Sequence, residues 1–195
     1  MSLIPEDTTP LDFEESNGLK LSYISTRSEL NAAEAVNIES GLRWAGESRT
    51  LDEVLSVDFL CELHKRMFGD VWNWAGDFRK TNKNLGVPWW DVPVAVIELI
   101  RDTTAWTTGE EFAWTIDEIG IRFHHRLVSI HPFPNGNGRH SRASADLLVE
   151  SLGANRFTWG RTDFTDVGET RTNYIEALRA ADRGDFDPLL NFVRG

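Results

Sequence analysis

Between Thr115 and Ile130 the chain sets Ile116, Ile119, Phe123, Leu127 and Ile130 at intervals of 3, 4, 4 and 3, then stops at the sequence HPFP. Because an α-helix turns once every ~3.6 residues, this spacing gathers the apolar side chains on one face. Pro132 disfavours helical geometry at His131, so the spacing predicts a helix over 115–130 with an abrupt end. Beyond Gly136 and Gly138, Ala143, Leu147, Leu148 and Ser151 or Leu152 resume a helical pattern that stops at Gly153. Two helices joined across a short glycine-containing turn therefore frame whatever else the chain builds.

The remaining segments fit around that pair. SELNAAEAVNIESGLRWA predicts a helix over 28–45, with Ser28 as N-cap and Leu30, Ala33, Val36 or Asn37, and Ser40 or Gly41 along one face. SVDFLCELHKRMF predicts a second helix over 56–68, placing Val57, Leu60, Leu63, His64 and Met67 or Phe68 on one side. Gly, Asn and Pro then interrupt the periodicity over 77–92, a loop or short hairpin, before another helix starts near Pro93 or Val94. The tail gives a helix over 171–181, a break at Gly184 and a short helix in DPLLNFV, where Pro188 suits a first turn. The class is all-α, with a loosely ordered arm over 1–20 and a single domain over 21–195.

Composition narrows the function. With 41% hydrophobic and 26% charged residues the chain has the balance of a folded, water-soluble domain. A net charge of −11 excludes broad binding to nucleic acid, which needs clustered Lys and Arg. There is no apolar run long enough for a membrane span and no basic-then-apolar leader, so the expected location is the cytoplasm. Cys61 is the only cysteine, which rules out an internal disulfide and reads as a helix filler.

The segment HPFPNGNGRHSR carries the chemistry. A helix start leaves free N–H groups and the positive end of a dipole, and Gly136 and Gly138 let a ligand approach the backbone. Arg139 and Arg142 stand three residues apart in the first turn, so the corner makes a phosphate cradle with two guanidinium groups. His131, across the turn, has the pKa range of a general base acting on a hydroxyl beside a bound phosphate. Phe133 between two prolines reads as a core anchor. His124, His125, His131 and His140 do not form the HExxH pattern of a zinc site, and His124 and His125 read as packing residues.

These residues resemble the signature of Fic-domain proteins, HxFx(D/E)GNGRxxR, matched at His131, Phe133, Gly136, Asn137, Gly138, Arg139 and Arg142. WAGDFR over 74–79 resembles the segment that opens the family's target-binding flap, and YIEALRAADRGDFDPLLNFV resembles its C-terminal helices. With VWNWAG and KNLGV, the spelling is most similar to the subfamily called mobile mystery protein B. The resemblance implies a mostly helical bundle with a short β-hairpin flap.

It also implies transfer of AMP from ATP to a Ser, Thr or Tyr hydroxyl of a target protein. His131 would be the base, Gly136, Asn137 and Gly138 would hold the α-phosphate, and Arg139 and Arg142 would neutralise the outer phosphates. Asp182 aligns with a position that meets adenine in some relatives. Thr81, Asn82, Lys83, Asn84, Leu85 and Gly86 would form the flap that takes the target segment. The family's Mg2+ ligand is acidic, whereas Asn135 stands there and brings no negative charge. Many relatives carry an inhibitory helix of pattern (S/T)xxxE(G/N), and AVNIESG offers Glu39, with Ala35 and Ser40 departing from that pattern. Removal of AMP, transfer of another phosphate-bearing group, or a non-catalytic scaffold working with a partner protein encoded nearby on a mobile element are the alternatives.

Overall fold

The computed structural model describes residues 18–46, 49–108, 114–160 and 167–195. Most of the arm expected over 1–20 lies outside them, but its end is held: Leu19 bridges to Trp72, and the Lys20 N–H donates to the Val71 carbonyl at 2.8 Å. The described residues form α1 (Arg27–Ala45), the single turn α2 (Leu51–Val54), α3 (Val57–Phe68), α4 (Val92–Trp106), α5 (Ile116–Ile130), α6 (Asn137–Ser151), α7 (Val167–Ala181) and α8 (Asp187–Arg194).

Local signals set the boundaries. The cap of α1 is Thr26, two residues before the predicted Ser28, because Thr26 and Glu29 form a capping box, each side chain bonding the other residue's N–H. Thr115 and Glu118 do the same for α5. Ser56, the first residue of the segment predicted over 56–68, is the N-cap of α3, and Gly184 stands at φ 87 in the turn that follows α7. α7 starts four residues ahead of the predicted Arg171.

α5 and α6 pack together at the centre, with α4 on α5, α1 against α3, and α7 paired with α8. α6 is buried on most sides through His140, Ser141, Ala143, Ser144, Ala145, Leu147, Leu148 and Val149, and its Ser and Ala side chains let neighbouring elements pack close. α1 is different, because its buried seam is Leu30, Glu34, Asn37, Gly41 and Ala45. Gly41 is there for contact: a Cβ would lie 2.7 Å from backbone atoms of Arg66 and Met67 in α3. Asn37 donates to the Arg66 carbonyl at 3.0 Å and accepts from the Asp70 N–H at 2.9 Å, locking α1 across the end of α3. Val36, a candidate for the inner face, is exposed instead.

The expected flap hairpin does not form: none of residues 77–92 lies in a strand or a bridge. The flap's main chain bonds to the end of α5: Arg79 N–H donates to Pro132 O at 2.9 Å and Val87 N–H to Ile130 O at 3.3 Å. Residues 130–132 thus take the place of a partner strand.

Candidate active site

The corner between α5 and α6 is built from inside outward. His131 ends α5 in the left-handed conformation (φ 54, ψ 60), which turns the chain sharply toward Phe133. Phe133 is fully buried and stacks on the His64 ring at 3.8 Å, the anchor its sequence context predicts. His64, also fully buried, fixes the loop at both ring nitrogens. Its Nδ1 accepts from the Gly76 N–H at 3.0 Å, so the proton is assigned to Nε2, which donates to the Asn135 carbonyl at 3.1 Å. Burial holds its pKa well below the ordinary histidine value, consistent with that neutral tautomer.

Two asparagines are spent on the loop itself. Asn137 accepts from the Phe133 N–H at 2.9 Å and donates to the Phe133 carbonyl at 2.8 Å, so its side chain pins the turn rather than reaching for a phosphate. Asn135 accepts from the Gly136 N–H at 2.6 Å. Gly136 adopts φ 77 against the Phe68 ring, where a Cβ would lie 2.5 Å from a ring carbon. At Gly138, by contrast, a Cβ would meet nothing within 4 Å. The first-turn amides of Asn137, Gly138 and Arg139 have no acceptor four residues back within α6 and sit at its positive dipole end; Asn137 is buried, and the surface opens at Gly138.

The charged groups are unequal. Arg142 is half-buried, its guanidinium carbon 5.5 Å from the centre of the Tyr174 ring. Arg139 lies over Phe68 and donates from Nη1 to Oε2 of Glu34 at 2.7 Å. Glu34 is only 3% exposed, and its Oε1 accepts from the Trp72 indole N–H at 2.7 Å. The imidazole of His131 is half-buried; burial, then the nearby Arg79 and Lys83 charges, lower its pKa, and the Val128 carbonyl opposes them. A histidine lowered below 6.5 is neutral at pH 7 and can accept a proton.

This turn, with its histidine, open helix start and two arginines, lies inside residues 54–149, which match the family model for the Fic/DOC family. Residues 54–149 are a Fic/DOC-family domain. Over 169 residues the chain is 31% identical to "Protein adenylyltransferase fic-1" of Caenorhabditis elegans, covering 82% of this chain and 31% of that one. It is 28% identical over 174 residues to "Protein adenylyltransferase Fic" of Nematostella vectensis, covering 86% and 38%. The chain thus spans about a third of the length of these curated relatives. The solved structure of Fic-1 (aa134 - 508) from C. elegans superposes with a TM-score of 0.63 at 26% identity, over 89% of this chain and 49% of that one. The N-terminal FIC domain of Bep8 from Bartonella sp. 1-1C shares the fold, with a TM-score of 0.70 over 90% and 88% of the two chains.

The other predicted residues of the Fic domain and its flanks fall in several places. Glu39 does not reach a motif arginine. Its side chain is 75% exposed and pairs with Arg43 one turn along α1 at 3.0 Å. The buried carboxylate against Arg139 is Glu34, which an apolar-seam reading of α1 passes over. Asp182 accepts from His125 Nε2 at 2.8 Å, and His125 packs edge-on to Phe186. His124 is buried and its Nε2 lies 2.9 Å from the Tyr174 hydroxyl, a packing role. Thr81, Asn82, Lys83, Asn84, Leu85 and Gly86 are all exposed, and the Asn82 side chain accepts from the Trp89 N–H at 3.0 Å. Burial, with Asp58 and Asp77, pushes the Cys61 thiol up to about 11, so it is inert.

The donor set for Mg2+ is poor. The Asn135 amide oxygen is engaged by Gly136, and the described residues contain no group of three His, Cys, Asp or Glu suited to a metal. These residues do not build a protein-held Mg2+ site.

Proposed function

We propose that the chain is a protein adenylyltransferase: it transfers AMP from ATP to a hydroxyl of a target protein and releases pyrophosphate. The observation that carries this reading is the neutral His131 imidazole held at the end of α5, across a rigid turn from the first-turn amides of α6, where Gly138 leaves room for a ligand. The names of the relatives support it. His131 takes the proton from the attacking hydroxyl. The α6 amides and the free side of Arg142 meet the phosphates, since such transfers depend chiefly on positioning and charge stabilisation.

The target segment lies along the exposed flap, 81–86. Trp89 and Trp90, 40% and 58% exposed, suit a protein-contact surface beside it. α1 restrains the site through Glu34, which neutralises Arg139 and competes with a phosphate for it. The finer placement within the mobile mystery protein B subfamily, and a partner encoded nearby, rest on the sequence spelling. No helix among the described residues is long and apolar enough to cross a membrane.

Incubation of the full chain with labelled ATP and candidate targets, in Mg2+ and in Mn2+, tests the reading. Mass spectrometry should find one AMP added to a Ser, Thr or Tyr. Loss of AMP from a pre-modified target would favour the reverse reaction, and ATP binding without pyrophosphate release would make the domain a binding scaffold.

A further inference from the structure

Arg79 is 2% exposed, and among the described residues the partners of its guanidinium are main-chain carbonyls. Nε donates to His131 O at 2.6 Å, Nη1 to Thr81 O at 3.0 Å, and Nη2 to Ile130 O at 3.3 Å. Nη2 also donates to Val87 O. A buried cation without a carboxylate is costly unless other groups solvate it. Here the end of α5 does so, because its last carbonyls have no partner within the helix and form the negative end of its dipole.

The four carbonyls come from two places. Ile130 and His131 end α5, while Thr81 opens the exposed flap and Val87 follows it. One side chain therefore clamps both legs of the flap to the residue that carries the base. Gly86 closes the arrangement from the flap: at φ 101, a Cβ there would lie 2.7 Å from the His131 Cβ and 2.7 Å from Arg79 Nη2. His131 needs such support, since a β-carbon disfavours the left-handed conformation it adopts.

We propose that Arg79 is a positioning residue that fixes the His131 turn and docks the flap against it, so that base and acceptor surface are set as one unit. The kinetic consequence rests on the AMP-transfer reading; the structural one does not. Of the groups acting on His131, Arg79 and Lys83 carry positive charge and the Val128 carbonyl opposes them.

The test uses the full chain with Arg79→Gln, which removes the charge but keeps a planar donor, and Arg79→Lys, which keeps the charge but loses the fork. In Arg79→Gln, kcat for transfer of labelled AMP should fall about 100-fold, as expected for a base displaced by about 1 Å, with KM for ATP unchanged. Amide exchange over 80–87 should quicken, and the NMR titration of the His131 ring should move up toward 6.5. Arg79→Lys should keep the titration and lose kcat. Wild-type kcat and exchange in Arg79→Gln would overturn the proposal, as would a rise in KM for ATP that accounts for the whole loss. If Arg79→Gln does not fold, Gly86→Ala pushes the flap from His131 with Arg79 intact; a normal kcat there would overturn it equally. Should the wild type transfer no AMP, the functional reading fails, while exchange and titration still decide the clamp.

Discussion

His131 and Arg139 belong to one corner of the molecule and are held by opposite chemistry. Around His131 the fixing groups are a buried neutral histidine, two asparagines and a guanidinium surrounded by carbonyls. Around Arg139 a single buried carboxylate, Glu34, does the work, steadied by Trp72. The first arrangement leaves no partner for a ligand to displace, so the base is preset. The second is an ion pair on a side chain 38% exposed, which a polyanionic ligand can exchange. One end of the site is rigid and the other is occupied but exchangeable.

The largest effect should come from breaking the rigid end. His131→Ala removes the base without touching the α6 amides, so AMP transfer should fall by about 1,000-fold, within the range for a general base. Calorimetry should find ATP affinity unchanged. A variant that still transfers AMP would show that the base lies elsewhere.

The rigid end also has an acid weakness. Burial lowers His124 to about 3 and His140 to about 4, and lowers His64 well below 6.5. Below 6.5 the unfolded chain binds protons at these positions that the native chain does not, so stability falls as pH falls. From pH 6.5 to 5 His124 and His140 should each cost about 2 kcal/mol, at about 1.4 kcal/mol per unit, and His64 adds to the loss in the same direction. Denaturant melts at the two pH values measure it, and His140→Gln should flatten the slope by its share. An unchanged midpoint at pH 5 would mean that these rings are not held neutral.

The exchangeable end should respond in the opposite sense. Glu34→Gln keeps an acceptor for the Trp72 indole but frees the charge of Arg139. ATP affinity and AMP transfer should rise about tenfold, a typical value for one released charge contact. Glu39→Gly is the control: an exposed carboxylate paired only with Arg43 should change neither. Activation by Glu39→Gly but not by Glu34→Gln would reverse the assignment.

Much of the rigid end is legible in the sequence, because it depends on local rules. Pro132 predicts the break at His131, Gly136 predicts a position without a Cβ, and the apolar spacing of 116–130 predicts the helix that carries them. Even the true start of α1 has a local signal, the Thr26 and Glu29 capping box, which Ser28 obscures. The exchangeable end is not legible in the same way. Glu34 sits on the inner face of α1, but a buried carboxylate reads as a solvent-facing residue until Arg139 and Trp72 are seen beside it. Arg79 and His64 are hidden for a related reason: their partners are main-chain atoms of residues 130, 131 and 135, which leave no trace in side-chain patterns. The flap fails as a hairpin on the same ground, since the acceptors for Arg79 and Val87 lie at the end of α5.

The smallest effect sharpens the view of His131 as a base tuned from outside its own helix. Lys83 is exposed on the flap and contributes least of the groups acting on the imidazole, after burial, Arg79 and the Val128 carbonyl. Its charge disfavours imidazolium, so Lys83→Ala should raise the His131 pKa, by less than the loss of Arg79 would. Activity needs the neutral ring, which is lost as pH falls through that pKa. The acid limb of the kcat profile should therefore move to higher pH in Lys83→Ala, while the rate on the plateau above pH 7 stays the same. Added salt should shrink the difference, because an exposed charge is screened and burial is not. A shift to lower pH, or one insensitive to salt, would mean that Lys83 acts through the flap's conformation rather than its charge.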